Sequence, residues 1–265
     1  TKANMFRHQA DSQSLILNHD NPWTAYLQHT AGSQHQLQFS MSKLPPNVSG
    51  LFHADHFLFY RDRSTSTWEQ VLEIRGFTTR RGRHNLENLL AGALAANQAG
   101  VSWLEIQAGI ETLPEIAFRQ ELIFHSQQLQ VVNDNAATSP DGCMAAIERF
   151  GNGSCILITG GTDRELDYAE WAVAVQKRLR AEHLVFLEGS ATDKMLHALA
   201  DYIRLPAVMP SLDECLEAAL TKAEALEKAT IVFSPGAKSF EKFDNEFERG
   251  RAFNTVVERK LRTSK

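Results

Sequence analysis

Leu129-Gln130-Val131-Val132-Asn133-Asp134-Asn135-Ala136-Ala137-Thr138-Ser139-Pro140-Asp141 decides the fold of the chain's second half. A short apolar run stops in three polar residues. Ser139 then stands as a helix N-cap with Pro140 at the first helical position, so the stretch reads strand, loop, helix. The same switch recurs along the chain. Strands are expected at 121–124, 129–132, 155–159, 184–187 and 230–233, with helices near 141–150, 168–179, 194–202, 212–226 and 247–261. Alternation of this kind predicts a mostly parallel sheet covered on both faces, with ligand sites at the carboxyl ends of its strands. Three strand-to-helix loops, 133–140, 160–167 and 234–243, are therefore the places to look for function.

The first 110 or so residues follow another rule. Strand-like runs at 15–18, 36–41, 57–60 and 70–74 are separated by turn residues such as Asp20-Asn21-Pro22 and Pro45-Pro46-Asn47. After Gly82 the period becomes helical: Leu86, Leu89, Leu90, Ala93, Leu94 and Asn97 share one face, and Gly100 is placed to end the helix. A short helix near 103–110 follows. The fold class is α/β, with domains expected at 1–112 and 113–265.

At 265 residues the chain is long enough for two modest cores, and 43% hydrophobic with 22% charged residues is ordinary for a globular protein. The net charge of −5, without a long basic block, argues against nucleic acid as a partner. Cys143, Cys155 and Cys215 form no CxxC pair and sit in apolar periodic segments, as expected of reduced thiols in a cytoplasmic protein. No apolar stretch approaches the ~20 residues that cross a bilayer, so no membrane is expected as a partner. The chain begins at Thr1-Lys2-Ala3-Asn4, inside patterned sequence, and is expected to be a fragment of a longer protein.

Each loop has a chemical and a plain structural reading. Asp134 at a strand end can accept hydrogen bonds from ribose hydroxyls, or serve an ordinary β–α turn. The paired Gly160 and Gly161 let backbone approach a ligand closely, and Arg164 beyond them offers a planar fork for a carboxylate, or a solvated pair with Asp163 or Asp167. In the third loop Phe240, Phe243 and Phe247 are a ligand cluster or core packing, while Lys238-Ser239 is harder to assign to packing. The His53-Ala54-Asp55-His56 run is read as sheet and no metal is assigned to it, because a strand alternates its side chains. No GxGxxG opens the α/β unit, so a dinucleotide fingerprint is absent.

Taken together, three segments resemble the Mur ligase family. Gly82-Arg83-His84-Asn85-Leu86-Glu87-Asn88 resembles its GxHNxxN helix start, residues 133–138 its NDSKAT loop, and residues 234–250 its SPxxASFDxFxNFxxRG segment. Residues 15–22 are similar to the LNxDDP strand-turn of its central domain. The resemblance implies the C-terminal part of a central ATPase domain over 1–112, followed by a Rossmann-like, amino-acid-binding domain over 113–265. Residues 133–138 and 234–250 resemble the D-glutamate-adding branch, in which ATP phosphorylates the carboxylate of UDP-N-acetylmuramoyl-L-alanine and the amine of D-glutamate attacks the acyl phosphate. A ligase for L-glutamate or a folate polyglutamate, and a non-catalytic nucleotide- or amino-acid-binding module, share the same loops.

Residue by residue, the resemblance makes Lys2 the family's carbamylated lysine. It brings Asn85 and Asn88 to adenine, and Arg119 and Asp134 to the nucleotide's phosphates and ribose. Thr138, Arg164, Ser239, Phe240 and Phe247 line the glutamate site. ATP and magnesium are the implied cofactors of the complete enzyme, which is expected to be monomeric. Three positions depart from the family: Ala136 stands for the loop lysine, Phe118 for the histidine before Arg119, and Arg164 for a lysine. No GxxGK(S/T) phosphate loop and no counterpart of the family's magnesium-holding Glu and His occur in these residues, so the chain alone is expected to be inactive.

Overall fold

The computed structural model describes residues 2–10, 12–31, 35–204 and 206–262, without the side chains of Lys2, Arg7, His84 and Arg262. Contacts divide the chain into two units, Thr1–Pro114 and Glu115–Lys265.

The first unit is a five-stranded sheet in sequential order: β1 (Ser14–Asn18), β2 (His35–Ser40), β3 (Gly50–Ala54), β4 (Phe57–Arg61) and β5 (Glu69–Glu73). The first three strands are parallel, and the last two join as antiparallel hairpins. α1 (Thr24–Ala31) and a 3-10 helix over Lys2–His8 cover Leu15 and Leu17 on one side of β1. α2 (Phe77–Arg81), α3 (Arg83–Gln98) and α4 (Trp103–Glu111) complete the unit. Leu86, Leu89, Leu90, Ala93 and Leu94 of α3 pack on Leu37, Leu51, Leu58 and Leu72 of the sheet. Burying each leucine contributes roughly 1.5–3 kcal/mol, which makes this stripe the unit's main source of stability.

β3 was not expected from the sequence. Its only large apolar residues are Leu51 and Phe52, too few for a visible alternation, and it is a strand because β2 and β4 hydrogen-bond it from both sides. His53 and Ala54 end β3, and Asp55 and His56 form the turn into β4, with Asp55 at φ 54°.

The second unit holds β6 (Glu121–His125), β7 (Leu129–Asn133), β8 (Cys155–Gly160), β9 (Leu184–Leu187), β10 (Ala207–Met209) and β11 (Ala229–Phe233), in the order β10-β9-β8-β11-β7-β6. All neighbours are parallel except the β6–β7 pair. α5 (Pro140–Phe150), α6 (Ala169–Arg178) and α7 (Ser190–Ala198) cover one face around the fully buried Trp171. α8 (Leu212–Ala223) and α9 (Glu246–Arg262) cover the other around Phe233 and Phe253. The three cysteines are buried in these cores, and burial pushes their thiols up to about 11 for Cys143 and about 12 for Cys155 and Cys215.

The second unit also differs from the sequence reading at β10 and α7, and α8 ends at Ala223 rather than 226. β10 is a three-residue edge strand with no pattern long enough to read. α7 starts at Ser190, four residues before the expected 194, because its first turn is capped from a distant loop, as described below. Among the described residues no helix is long and apolar enough to cross a membrane.

Candidate functional site

β8, β11 and β7 are neighbours, so the three loops that follow them meet at one end of the sheet. α6 leaves β8 toward one face and α9 leaves β11 toward the other, which opens a crevice between the strand ends. What fills most of it is the protein's own backbone. Gly160 and Gly161 have φ of 109° and 137°, open to glycine alone in practice, and a Cβ on Gly161 would stand 2.5 Å from the Lys238 carbonyl. Thr162 and Lys238 exchange both backbone hydrogen bonds, at 2.9 and 3.0 Å. Gly161 therefore admits the third loop, and Gly160 the end of β9 and Thr192 of α7, rather than a ligand.

Below this bridge lies a closed lock. Arg249, from the first turns of α9, is fully buried, and burial pushes its guanidinium down to about 9. The charge of Glu246 opposes that shift, and the guanidinium donates to Asn135 Oδ1 (2.6 Å), Asn135 O (3.4 Å), Ala237 O (3.0 Å) and Lys238 O (2.9 Å). Asn133 Nδ2 donates to Gly250 O (3.0 Å) and Asn254 Oδ1 (2.6 Å), and Asn135 Nδ2 donates to Glu246 O. One helix thus clamps the first and third loops together. The sequence reading assigned no role to Arg249, although a signal was present: it falls at i, i+4, i+8 with the core residues Phe253 and Val257, a charge on an apolar stripe.

Asp134 is almost fully buried. Its Oδ1 accepts the Gln120 N–H (3.1 Å) and its Oδ2 the Ser234 hydroxyl (2.7 Å). Burial pushes its carboxyl up to about 7, against the opposing pull of Ser234, Gln120, Arg119 and Arg149. The turn it holds is strained: Phe118 and Gln120, on either side of Arg119, have φ of 63° and 50°. Phe118 N donates to Glu121 Oε2 (2.9 Å), and Ala136 N donates to Phe118 O (2.9 Å). The Phe118 ring rests against Gly250, where a Cβ would come within 2.7 Å of it. This turn leaves Arg119 exposed and accounts for the glycine after Arg249.

Of the residues assigned to the amino acid, Arg164 is exposed and Thr138 half-buried. Arg164 forms no ion pair among the described residues, since Asp163 pairs with Lys194 at 2.5 Å. Phe240 and Phe247 are 60% and 58% exposed, whereas Phe243 packs on the α8–α9 core. The three phenylalanines therefore divide between surface and packing. Ser239 is buried, and its hydroxyl has no partner among the described residues. It lines a narrow cleft with Gly161, Thr162, Glu188 and Arg249.

That cleft is held shut from outside by Glu241. Its carboxylate accepts the Ser190 backbone N–H (3.0 Å) and the Ser190 hydroxyl, and its own N–H donates to Thr162 Oγ1 (2.9 Å). A carboxylate at a helix N-terminus offsets the positive end of the backbone dipole, and this one caps α7. Lys242 fastens the same segment to Glu188 (3.0 Å) and Pro210 O (2.9 Å).

In the first unit, Asn85 and Asn88 sit in the first two turns of α3. Asn85 Nδ2 donates to Arg81 O (2.6 Å), and Asn88 Nδ2 reaches Asn85 Oδ1 (3.5 Å). The helix begins at Gly82 with no side-chain cap, and Asn85 N donates to Gly82 O (3.2 Å). The Lys2 side chain, named as the modified lysine, lies outside the described residues. No three His, Cys, Asp or Glu among the described residues come together to hold a metal.

No family model matches the chain. It is 32% identical over 269 aligned residues to the UDP-N-acetylmuramoylalanine--D-glutamate ligase of Roseiflexus sp. (strain RS-1), an alignment covering 97% of this chain and 55% of that protein. The ligase of the same name from Prochlorococcus marinus (strain MIT 9515) is 30% identical over 213 residues, covering 80% of this chain and 44% of that one. The chain spans about half the length of the curated relatives it matches. Among solved structures, MurF from Acinetobacter baumannii aligns with a TM-score of 0.65 at 16% identity, over 96% of this chain and 54% of that one. Folylpolyglutamate synthase of Mycobacterium tuberculosis aligns at 0.61 with 10% identity, over 96% and 58%. The loop motifs, the mostly parallel sheet that presents them and the sequence identity along nearly the whole length agree: the chain belongs to the Mur ligase family.

Proposed function

We propose that this chain is part of an ATP-dependent ligase of peptidoglycan synthesis that joins glutamate, in the D form, to UDP-N-acetylmuramoyl-L-alanine. The observation that carries the reading is the 32% identity to a D-glutamate ligase along 97% of the chain, with the loop residues intact at Asp134, Thr138 and Ser239. In this reading the first unit is the C-terminal part of the ATP-binding domain, and the second receives the amino acid. The protein is cytoplasmic and monomeric.

Arg164 and Thr138 hold one glutamate carboxylate through charge-assisted hydrogen bonds, leaving the amine free to attack. Ser239 joins them when the 239–243 segment lifts from the cleft. Asn85 and Asn88 contact the nucleotide in the first unit, and in the second Asp134 holds the strained turn that presents Arg119. ATP supplies the phosphoryl group that makes the carboxylate a good acyl donor. The cradle for its phosphates and the magnesium ligands belong to sequence outside these residues.

The test is phosphate release by the full gene product with ATP, magnesium, UDP-N-acetylmuramoyl-L-alanine and either D- or L-glutamate. Release that depends on D-glutamate is expected at ~1–10³ s⁻¹, and none from the 265-residue chain alone. Preference for L-glutamate would move the protein to another branch. No release with either form would overturn the ligase reading.

A further inference from the structure

Lys238 differs from the paired cations around the crevice in being half-buried without a close partner among the described residues. Its side chain is only 15% exposed, yet the nearest carboxylate, Glu246 Oε1, is 4.0 Å away, the outer limit of an ion pair. The ring of Phe240 lies 6.0 Å from Nζ, the outer limit of a cation–π contact. Nζ makes no hydrogen bond among the described residues. By contrast, Lys194 meets Asp163 at 2.5 Å, Lys242 meets Glu188 at 3.0 Å and Arg249 uses its donors on four acceptors. An ammonium carries three donors and no acceptor, and among the described residues none of these three is taken by a hydrogen-bonded partner.

The base of this side chain is fixed. Lys238 N and O are both bonded to Thr162, and its carbonyl also accepts from Arg249. The same loop meets the first loop where Gly236 N donates to Ala137 O (2.9 Å), next to the uncharged Ala136. Phe240 and Phe247, both more than half exposed, flank Lys238 and Glu246 in sequence. A preorganised cation beside exposed aromatic surface suits a small anion with an apolar stem.

We propose that Lys238 is a specificity-determining residue that binds a carboxylate of the acidic amino-acid substrate. This rests on the reading of the protein as a glutamate ligase. The ligand displaces Glu246 from its distant pairing and takes the donors of Nζ, while its methylenes lie against Phe240.

The experiment compares Lys238→Met, which keeps the stem, with Lys238→Arg, which keeps the charge, in the full gene product. Lys238→Met is expected to raise the glutamate KM 10- to 100-fold with the ATP KM unmoved, and Lys238→Arg to recover most of that loss. An unchanged glutamate KM, equal impairment by both variants, or a rise in the ATP KM alone would each overturn the proposal. Calorimetric titration of the same proteins with glutamate reads the contact without turnover. Weakened binding to Lys238→Met there supports the assignment even if the ligase reading fails, and unaltered binding refutes it.

Discussion

Two parts of one crevice, a few residues apart in sequence, are built on opposite terms. In the floor, formed by Asn133, Asn135, Arg249 and Gly250, the donors and acceptors are matched within the protein. At the rim, Arg164 and Lys238 have no hydrogen-bonded anion among the described residues, and Phe240 and Phe247 keep more than half their surface in water. The contrast separates what a shared segment conserves for architecture from what it leaves for chemistry. Buried polar groups must be paired or the fold loses stability, whereas groups left unpaired near solvent lose little until a ligand arrives.

The floor gives the largest expected effect. Arg249→Met would leave Asn135 Oδ1 and the carbonyls of Ala237 and Lys238 without this donor, at roughly 1–3 kcal/mol each. A loss on the order of 5 kcal/mol is expected in urea unfolding. A loss below about 1 kcal/mol, the scale of an ordinary exposed substitution, would break the distinction between floor and rim.

Asp134 provides a pH-dependent version of the same comparison. With its carboxyl held near 7 in the fold, against 3.8 when free, the native state binds this proton more tightly than the unfolded chain does. Its stabilising contribution is complete below about pH 4 and is lost as pH rises to about 7, a change of up to about 4 kcal/mol. Asp134→Asn should remove that slope, measured as unfolding free energy between pH 4 and 7. An unchanged slope would mean the carboxylate is better solvated than its burial implies.

Arg164→Ala gives the smallest effect on the fold and sharpens the contrast from the other side. Its exposed side chain predicts a stability change within about 0.5 kcal/mol. Loss of a charge-assisted hydrogen bond worth ~1.5–3 kcal/mol should nevertheless raise the glutamate KM of the full gene product roughly 10- to 150-fold. An intact KM in steady-state kinetics would remove Arg164 from the substrate.

Much of the architecture follows from local pattern. The stripe on α3, the strands β7, β8, β9 and β11, and the Ser139–Pro140 start of α5 are legible because each depends on residues within one or two turns of one another. Apolar period and capping chemistry are local properties, and a sequence displays them directly. The same reading brought Thr138, Arg164 and Ser239 to the ends of neighbouring strands without showing which would face water. Tertiary structure decided that. Arg249 lies 114 residues from the Asn135 it holds, Glu241 caps a helix 51 residues away, and β3 is a strand through its two neighbours. The reason is physical. Whether a polar side chain is clamped or free depends on partners that only the folded chain brings within about 3 Å, and no spacing along the sequence encodes that distance.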